Sequence, residues 1–146
     1  MKRSATAVWN GNIKEGNGNI TTESSGLNET MYSVASRFED GVLKFTTNPE
    51  ELMAAAHAGC FCMKLSHLLT AAGFDPVSLQ TNCVITLDPK AGVITHSQLT
   101  LKANVSNISR EQFAEITKEA KLNCPVSKAY NMEIGLEAEL MQGSNY

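Results

Sequence analysis

Along the first third of the chain, apolar and polar positions trade places at a spacing of two. Thr6-Ala7-Val8-Trp9, Ile20-Thr21-Thr22 and Tyr32-Ser33-Val34-Ala35-Ser36-Arg37-Phe38 therefore read as short strands. Asn10-Gly11-Asn12 and Gly16-Asn17-Gly18-Asn19 are turn-forming, the second separating Ile13-Lys14 from Ile20. Residues 1–46 thus predict a small antiparallel sheet.

The pattern then changes. Thr47 or Asn48 can cap a helix, Pro49 suits its first position, and Glu50 and Glu51 complement the positive end of its dipole. The helix runs to about Ala72, where Gly73 stops it. From Leu52 to Met63 it is apolar or small nearly all round, which predicts burial on most sides and more cover than one short chain supplies. Strands follow within about 81–105, Val84–Leu87 and Val93–Val105, joined at Asp88-Pro89-Lys90-Ala91-Gly92. Ser109-Arg110-Glu111-Gln112 has capping-box spacing for a second helix over about 110–122, with Phe113, Ile116 and Ala120 as its apolar stripe. Pro125 ends that helix and opens a short one, and Ile134, Leu136, Ala138 and Leu140 mark a last strand over about 133–141. The fold class is α+β in a single domain, 1–146.

Composition narrows the function. With 146 residues and 42% hydrophobic content the chain can build one core. Its 12 basic and 15 acidic residues lie scattered, with no basic footprint for nucleic acid. The N-terminus lacks the apolar run of a signal peptide, and the uncharged stretch Leu52–Met63 falls short of the ~20 residues that cross a bilayer, so no membrane partner and a cytoplasmic location are expected. Four cysteines, 60, 62, 83 and 124, form neither CxxC pairs nor a secreted disulfide framework. They are buried fillers or reactive thiols.

On a helical wheel Glu50, His57, Cys60, Lys64 and His67 fall on one stripe, and cationic neighbours favour thiolate, the nucleophilic form. A buried cysteine with two histidines that merely satisfy local partners is the plain alternative. Cys124 precedes Pro125 and so stands at the start of the short helix, where the dipole lowers a thiol pKa. Cys60 and Cys124 could form a disulfide if their Cα atoms approach within ~7 Å. Cys62 lies on another face of the helix, and Cys83, in or beside a strand, has no polar stripe around it; both read as packing. Arg37, at a strand end, can pair with a carboxylate and a thiolate together, or simply be solvated.

Thr47-Asn48-Pro49-Glu50-Glu51-Leu52, Ala55-Ala56-His57-Ala58-Gly59-Cys60-Phe61 and Asn123-Cys124-Pro125-Val126-Ser127 resemble the osmotically inducible/organic hydroperoxide resistance family. Trp9, Thr22-Glu23-Ser24, Leu27-Asn28, Arg37-Phe38 and Ala72-Gly73-Phe74 extend the likeness over nearly the whole chain. The resemblance implies antiparallel sheets wrapped around long central helices in an intertwined homodimer. It implies a peroxidase in which Cys60 becomes a sulfenic acid and Cys124 resolves it, with Arg37 stabilising thiolate and alkoxide and Glu50 orienting Arg37. The turn Gly16-Asn17-Gly18-Asn19 lacks an arginine while Arg37 precedes Phe38, as in the osmotically inducible branch. Organic hydroperoxides are the expected substrates, hydrogen peroxide a lesser one, with Leu52, Met53 and Phe61 as candidate pocket lining and His57 in support. A small or protein dithiol would be the reductant, and neither metal nor cofactor is called for.

One check stands apart from the resemblance. Glu50 and Cys60 are ten residues apart on one helix, ~15 Å along its axis, too far to share a site within one chain. Two such helices packed antiparallel would bring Glu50 of one chain to Cys60 of the other. The rival readings are a cysteine hydrolase with His57 or His67 as base, a metal module using Cys60, Cys62, Cys124 and His57, and a noncatalytic redox sensor.

Overall fold

The computed structural model describes residues 1–39, 41 and 43–141. It divides into two compact units, Met1–Leu52 and Met53–Tyr146.

In the first unit, β1 (Ala5–Asn10), β2 (Asn17–Thr22) and β3 (Thr30–Tyr32) form an antiparallel sheet in that order. Of the two turn candidates, Asn10-Gly11-Asn12 opens the β1–β2 connection, while Gly16-Asn17-Gly18-Asn19 does not form a turn of its own. Asn12 Oδ1 accepts from the amides of Lys14 and Glu15 and closes a turn there, whereas Asn17, Gly18 and Asn19 are strand residues. Gly18 is needed in β2 because a Cβ would collide with the Val8 carbonyl and the Tyr32 ring, which itself packs 5.5 Å from Trp9. The segment read as a strand through Phe38 stops at Tyr32 and becomes a helix, α1 (Val34–Phe38). The reason is local: Ser33 caps α1, its hydroxyl accepting from the Ser36 amide while Ser36 Oγ accepts from the Ser33 amide. Two serines spaced by three overrode a period-two pattern.

The central helix α2 (Pro49–Ala71) starts and stops where its sequence says. Asn48 Oδ1 accepts from the Glu51 amide. At the other end Gly73 adopts φ +90°, with Gly73 N–H bonded to Thr70 O and Phe74 N–H to Leu69 O, a Schellman closure. By length and composition α2 could also cross a bilayer, which the Leu52–Met63 stretch alone could not. Its buried face, however, belongs to a protein core.

That core lies in the second unit. Phe61, Leu65 and Leu69 of α2, Leu99, Leu101, Ala103 and Val105 of a later strand, and Phe113 and Ala120 of the helix that follows it form one buried cluster. Strands β4 (Pro76–Asp88) and β5 (Val93–Val105), 13 residues each, make an antiparallel hairpin, β4 beginning earlier than the apolar run at Val84. Its turn is tied by Asp88, whose side chain accepts from Lys90 and Ala91. Every second residue of β5 from Ser97 to Val105 is buried, the signature of a strand with one face on a core.

After β5 the chain forms α3 (Arg110–Asn123), capped by the Ser109/Gln112 box, then α4 (Pro125–Ala129) and β6 (Glu133–Met141). β6 pairs with β5 in parallel, which corrects the expectation of purely antiparallel sheets. A helical crossover returns the chain to the end of the sheet from which β5 started, and that forces a parallel neighbour.

The expected burial of α2 on most sides is not met within one chain. Its His57, Phe61, Leu65 and Leu69 face is buried, but Ala55, Ala56, Gly59 and Met63 are exposed, Met63 at 77%.

Candidate active site

Each unit carries one half of the expected constellation. In the first, the Arg37 guanidinium grips Glu50 with two nitrogens: Nε lies 3.0 and 3.1 Å from the carboxylate oxygens and Nη2 2.6 Å from Oε1. The same guanidinium lies over the Phe38 ring at 5.1 Å. Asn48 Nδ2 donates to Ser36 O and Ser36 Oγ donates to Thr47 O, tying α1 to the start of α2 and fixing this pairing.

In the second unit the structure brings Cys60 and Cys124 together as free thiols. The Cys124 side chain and the Val126 backbone amide lie close enough to the Cys60 thiol to shift its pKa. α2 supplies Cys60, half-buried; the α3–α4 junction supplies Cys124, fully buried. Cys124 ends α3, its amide bonded to Ala120 O, and precedes α4, whose proline opening leaves the Val126 amide unused by the helix. Burial pushes the Cys60 thiol above its ordinary 9.0, and the neighbouring Cys124 adds to the rise; the Val126 amide and Lys64, one turn along α2, pull it back. Within this unit the balance favours thiol, the reverse of what the cationic stripe suggests.

His57 belongs to the core side of the stripe. It is fully buried, with Nδ1 2.6 Å from Ser97 Oγ and Nε2 2.8 Å from Ser127 Oγ, and its ring meets Tyr130 edge-on at 5.2 Å. Burial lowers its pKa, so the imidazole is held neutral. With both nitrogens engaged, it is not free to act as general base for Cys60; His67 is exposed. Cys83 Sγ lies 3.2 Å from Ser97 Oγ, at the end of the same chain of polar groups. Cys62 turns away to Thr81 Oγ1 at 3.0 Å. Of the pocket candidates, Phe61 is fully buried in the core, which corrects its placement at a substrate surface: it sits four residues after His57 and so faces inward. Leu52 and Met53 are half-buried.

Ser97, Ser127 and Tyr130 escaped the sequence reading. Ser97 left a signal, a hydroxyl at an inward register position of an otherwise apolar strand face. Tyr130, whose hydroxyl donates to Met53 O at 2.8 Å, left none. Among the described residues no group of three or more His, Cys, Asp or Glu side chains could hold a metal ion, which removes the basis of the metal-module reading.

Fold and site together define an α+β protein with a reduced thiol pair set between a core helix and a helix junction. The chain belongs to the family of OsmC-like proteins, whose family model matches residues 40–139. It is 40% identical over 142 residues to peroxiredoxin OsmC of Escherichia coli, spanning 96% of this chain and 97% of that protein. Its fold is similar to that of an OsmC-like protein from Vibrio cholerae, with TM-score 0.76 and 17% identity over 95% and 99% of the two chains. It is also similar to the organic hydroperoxide resistance protein OhrB of Bacillus subtilis, with TM-score 0.60 and 25% identity over 94% and 98%.

Proposed function

We propose that this protein is a cytoplasmic, thiol-dependent peroxidase that reduces organic hydroperoxides, and hydrogen peroxide less well, as part of the response to oxidative and osmotic stress. The approach of the Cys124 side chain to the Cys60 thiol, near enough to shift its pKa, carries the reading, and the name of the Escherichia coli relative, a peroxiredoxin at 40% identity, supports it.

The Cys60 thiolate attacks the terminal oxygen of the hydroperoxide. An S–O bond forms as the O–O bond breaks, the alkoxide leaves and is protonated to the alcohol, and Cys60 is left as sulfenic acid. The Cys124 sulfur then attacks Cys60; the S–S bond forms and hydroxide leaves as water. A dithiol exchanges with the disulfide, restoring both thiols and becoming a disulfide itself.

A thiol raised by burial needs a cation to ionise, and Arg37 is the candidate, held in orientation by Glu50. Glu50 and Cys60 are ten residues apart on α2, ~15 Å along a helix, so the gripped pair serves the Cys60 of a second copy. Two further observations favour a homodimer. The exposed Ala55, Ala56, Gly59 and Met63 face of α2 wants cover, and in Met1–Leu52 no apolar side chain is buried among the described residues. Leu52 and Met53 would line the substrate side.

Mass spectrometry after one equivalent of cumene hydroperoxide should show a Cys60–Cys124 bridge, and continued turnover with a dithiol separates an enzyme from a redox sensor. Ester hydrolysis that survives Cys124→Ser would instead revive the hydrolase reading, already weakened by the engaged His57 ring.

A further inference from the structure

α4 is five residues long, too short to hold its shape alone, yet with its cap it carries two of the groups that shift the Cys60 pKa: Cys124 at its entrance and the Val126 amide in its first turn. What fixes it against α2 is polar and buried. Ser127 reaches His57 Nε2 at 2.8 Å, one turn before Cys60, and Tyr130, at the far end of α4, donates to Met53 O at 2.8 Å while its ring edges onto His57. His57 is in turn braced on the sheet by Ser97 at 2.6 Å, which also touches Cys83.

The direction of this chain can be read from its protons. A neutral imidazole has one N–H and one bare nitrogen. If Nδ1–H donates to Ser97, the Ser97 hydroxyl donates onward to Cys83 Sγ, and the Ser127 hydroxyl donates to Nε2; every proton then has an acceptor. A protonated His57 would have no lone pair for Ser127.

The geometry points to His57 and Ser127 as positioning residues for the second half-reaction: they latch the α4 arm to α2 so that Cys124 is aligned to close on the Cys60 sulfenic acid before a second hydroperoxide reaches it. The step is the condensation already written, sulfenic acid plus thiol giving disulfide and water, in competition with attack by another hydroperoxide that would give sulfinic acid and alcohol. Loosening α4 reaches the first step only through the Val126 amide, which draws the Cys60 pKa down, whereas it displaces the Cys124 nucleophile of the second step outright. The first step should therefore be little affected and the second sensitive, a split that general loss of stability does not produce. This inference rests on the peroxidase reading above.

The test uses the reduced full-length protein in single-turnover mixing with cumene hydroperoxide, measuring peroxide consumption, disulfide closure, and the sulfinic fraction under excess peroxide. Ser127→Ala should slow closure roughly tenfold and raise the sulfinic fraction, with consumption unchanged within about twofold. His57→Gln, whose amide replaces Nε2, should close faster than His57→Asn, whose amide replaces Nδ1 and reaches only Ser97. Closure at the wild-type rate in Ser127→Ala, equal slowing of both steps, or His57→Asn closing as fast as His57→Gln would each overturn the latch. A wild-type protein that consumes no hydroperoxide would instead overturn the peroxidase reading, and the wild-type control reports that separately.

Discussion

The two units of this chain are built on opposite principles. Met53–Tyr146 has a continuous apolar core and buries its chemistry, with Cys124, His57, Ser97 and Ser127 all out of solvent. Met1–Leu52 has a three-stranded sheet without a core; among its described residues only Gly18 and Thr47 are buried, and Phe45 is 94% exposed. The Cys60 thiol thus sits where burial raises its pKa, while Arg37, the cation that could ionise it, sits in a unit lacking the apolar burial needed to stand alone. Under the homodimer proposed above, unit one is completed by another copy, and reactivity and assembly become one event: the Cys60 thiol would stay poorly ionised until a guanidinium arrives with the partner.

The comparison can be broken most decisively at the thiol. Cys60→Ser should abolish peroxide turnover, read in a coupled assay with a dithiol reductant, and surviving turnover would remove the second unit from the chemistry. Next in size, Arg37→Ala should slow Cys60 oxidation by about 10²–10³, the usual cost of removing one preorganised donor, and move Cys60 alkylation to higher pH. Mixing Cys60→Ser chains with Arg37→Ala chains then tests where the guanidinium acts. If it acts on the partner's thiol, each hybrid dimer regains one intact site; recovery of no activity would place the pair in its own chain.

A third measurement contrasts the units by stability. Leu101→Ala, in the buried core of unit two, should cost about 2–5 kcal/mol in denaturant unfolding. Met31→Ala, half-exposed in unit one, should cost within about 0.5 kcal/mol if that surface stays bare, and a larger loss that grows with protein concentration would mark it as part of an interface.

The smallest effect is a pH dependence. His57 has its pKa lowered by burial from the ordinary 6.5, so below 6.5 the unfolded chain takes up a proton that the folded chain resists. Stability should be fully present above pH 6.5 and fall as pH drops from there toward the folded value, by at most ~1.4 kcal/mol per pH unit for one group. Ser127 and Ser97 lose a neutral partner over the same window. A His57→Gln protein should lack this component, and identical acid profiles for the two would place the titration elsewhere.

Motifs with short range were legible from residues alone. Asn48-Pro49-Glu50-Glu51 and Gly73 bounded α2, Ser109 and Gln112 started α3, and the alternation of Leu99, Leu101, Ala103 and Val105 marked the buried face of β5, because caps and periodicity act within a few residues. The same locality misled at Ser33–Phe38, where a capping box competed with a strand pattern and won. The pairing of Arg37 with Glu50 was legible only as a resemblance, since nothing in a spacing of 13 specifies a contact.

By itself, then, the sequence determined α2, α3 and α4, the inward face of β5, and which thiols lie in ordered motifs, for these depend on neighbours along the chain. Only the tertiary structure decided that β6 runs parallel to β5, that Cys60 meets Cys124 64 positions away, and that His57 is clamped between two serines. Those are products of packing. Burying an imidazole or a thiol is tolerated only where partners from remote segments converge, and convergence is a property of the folded chain rather than of any stretch of it.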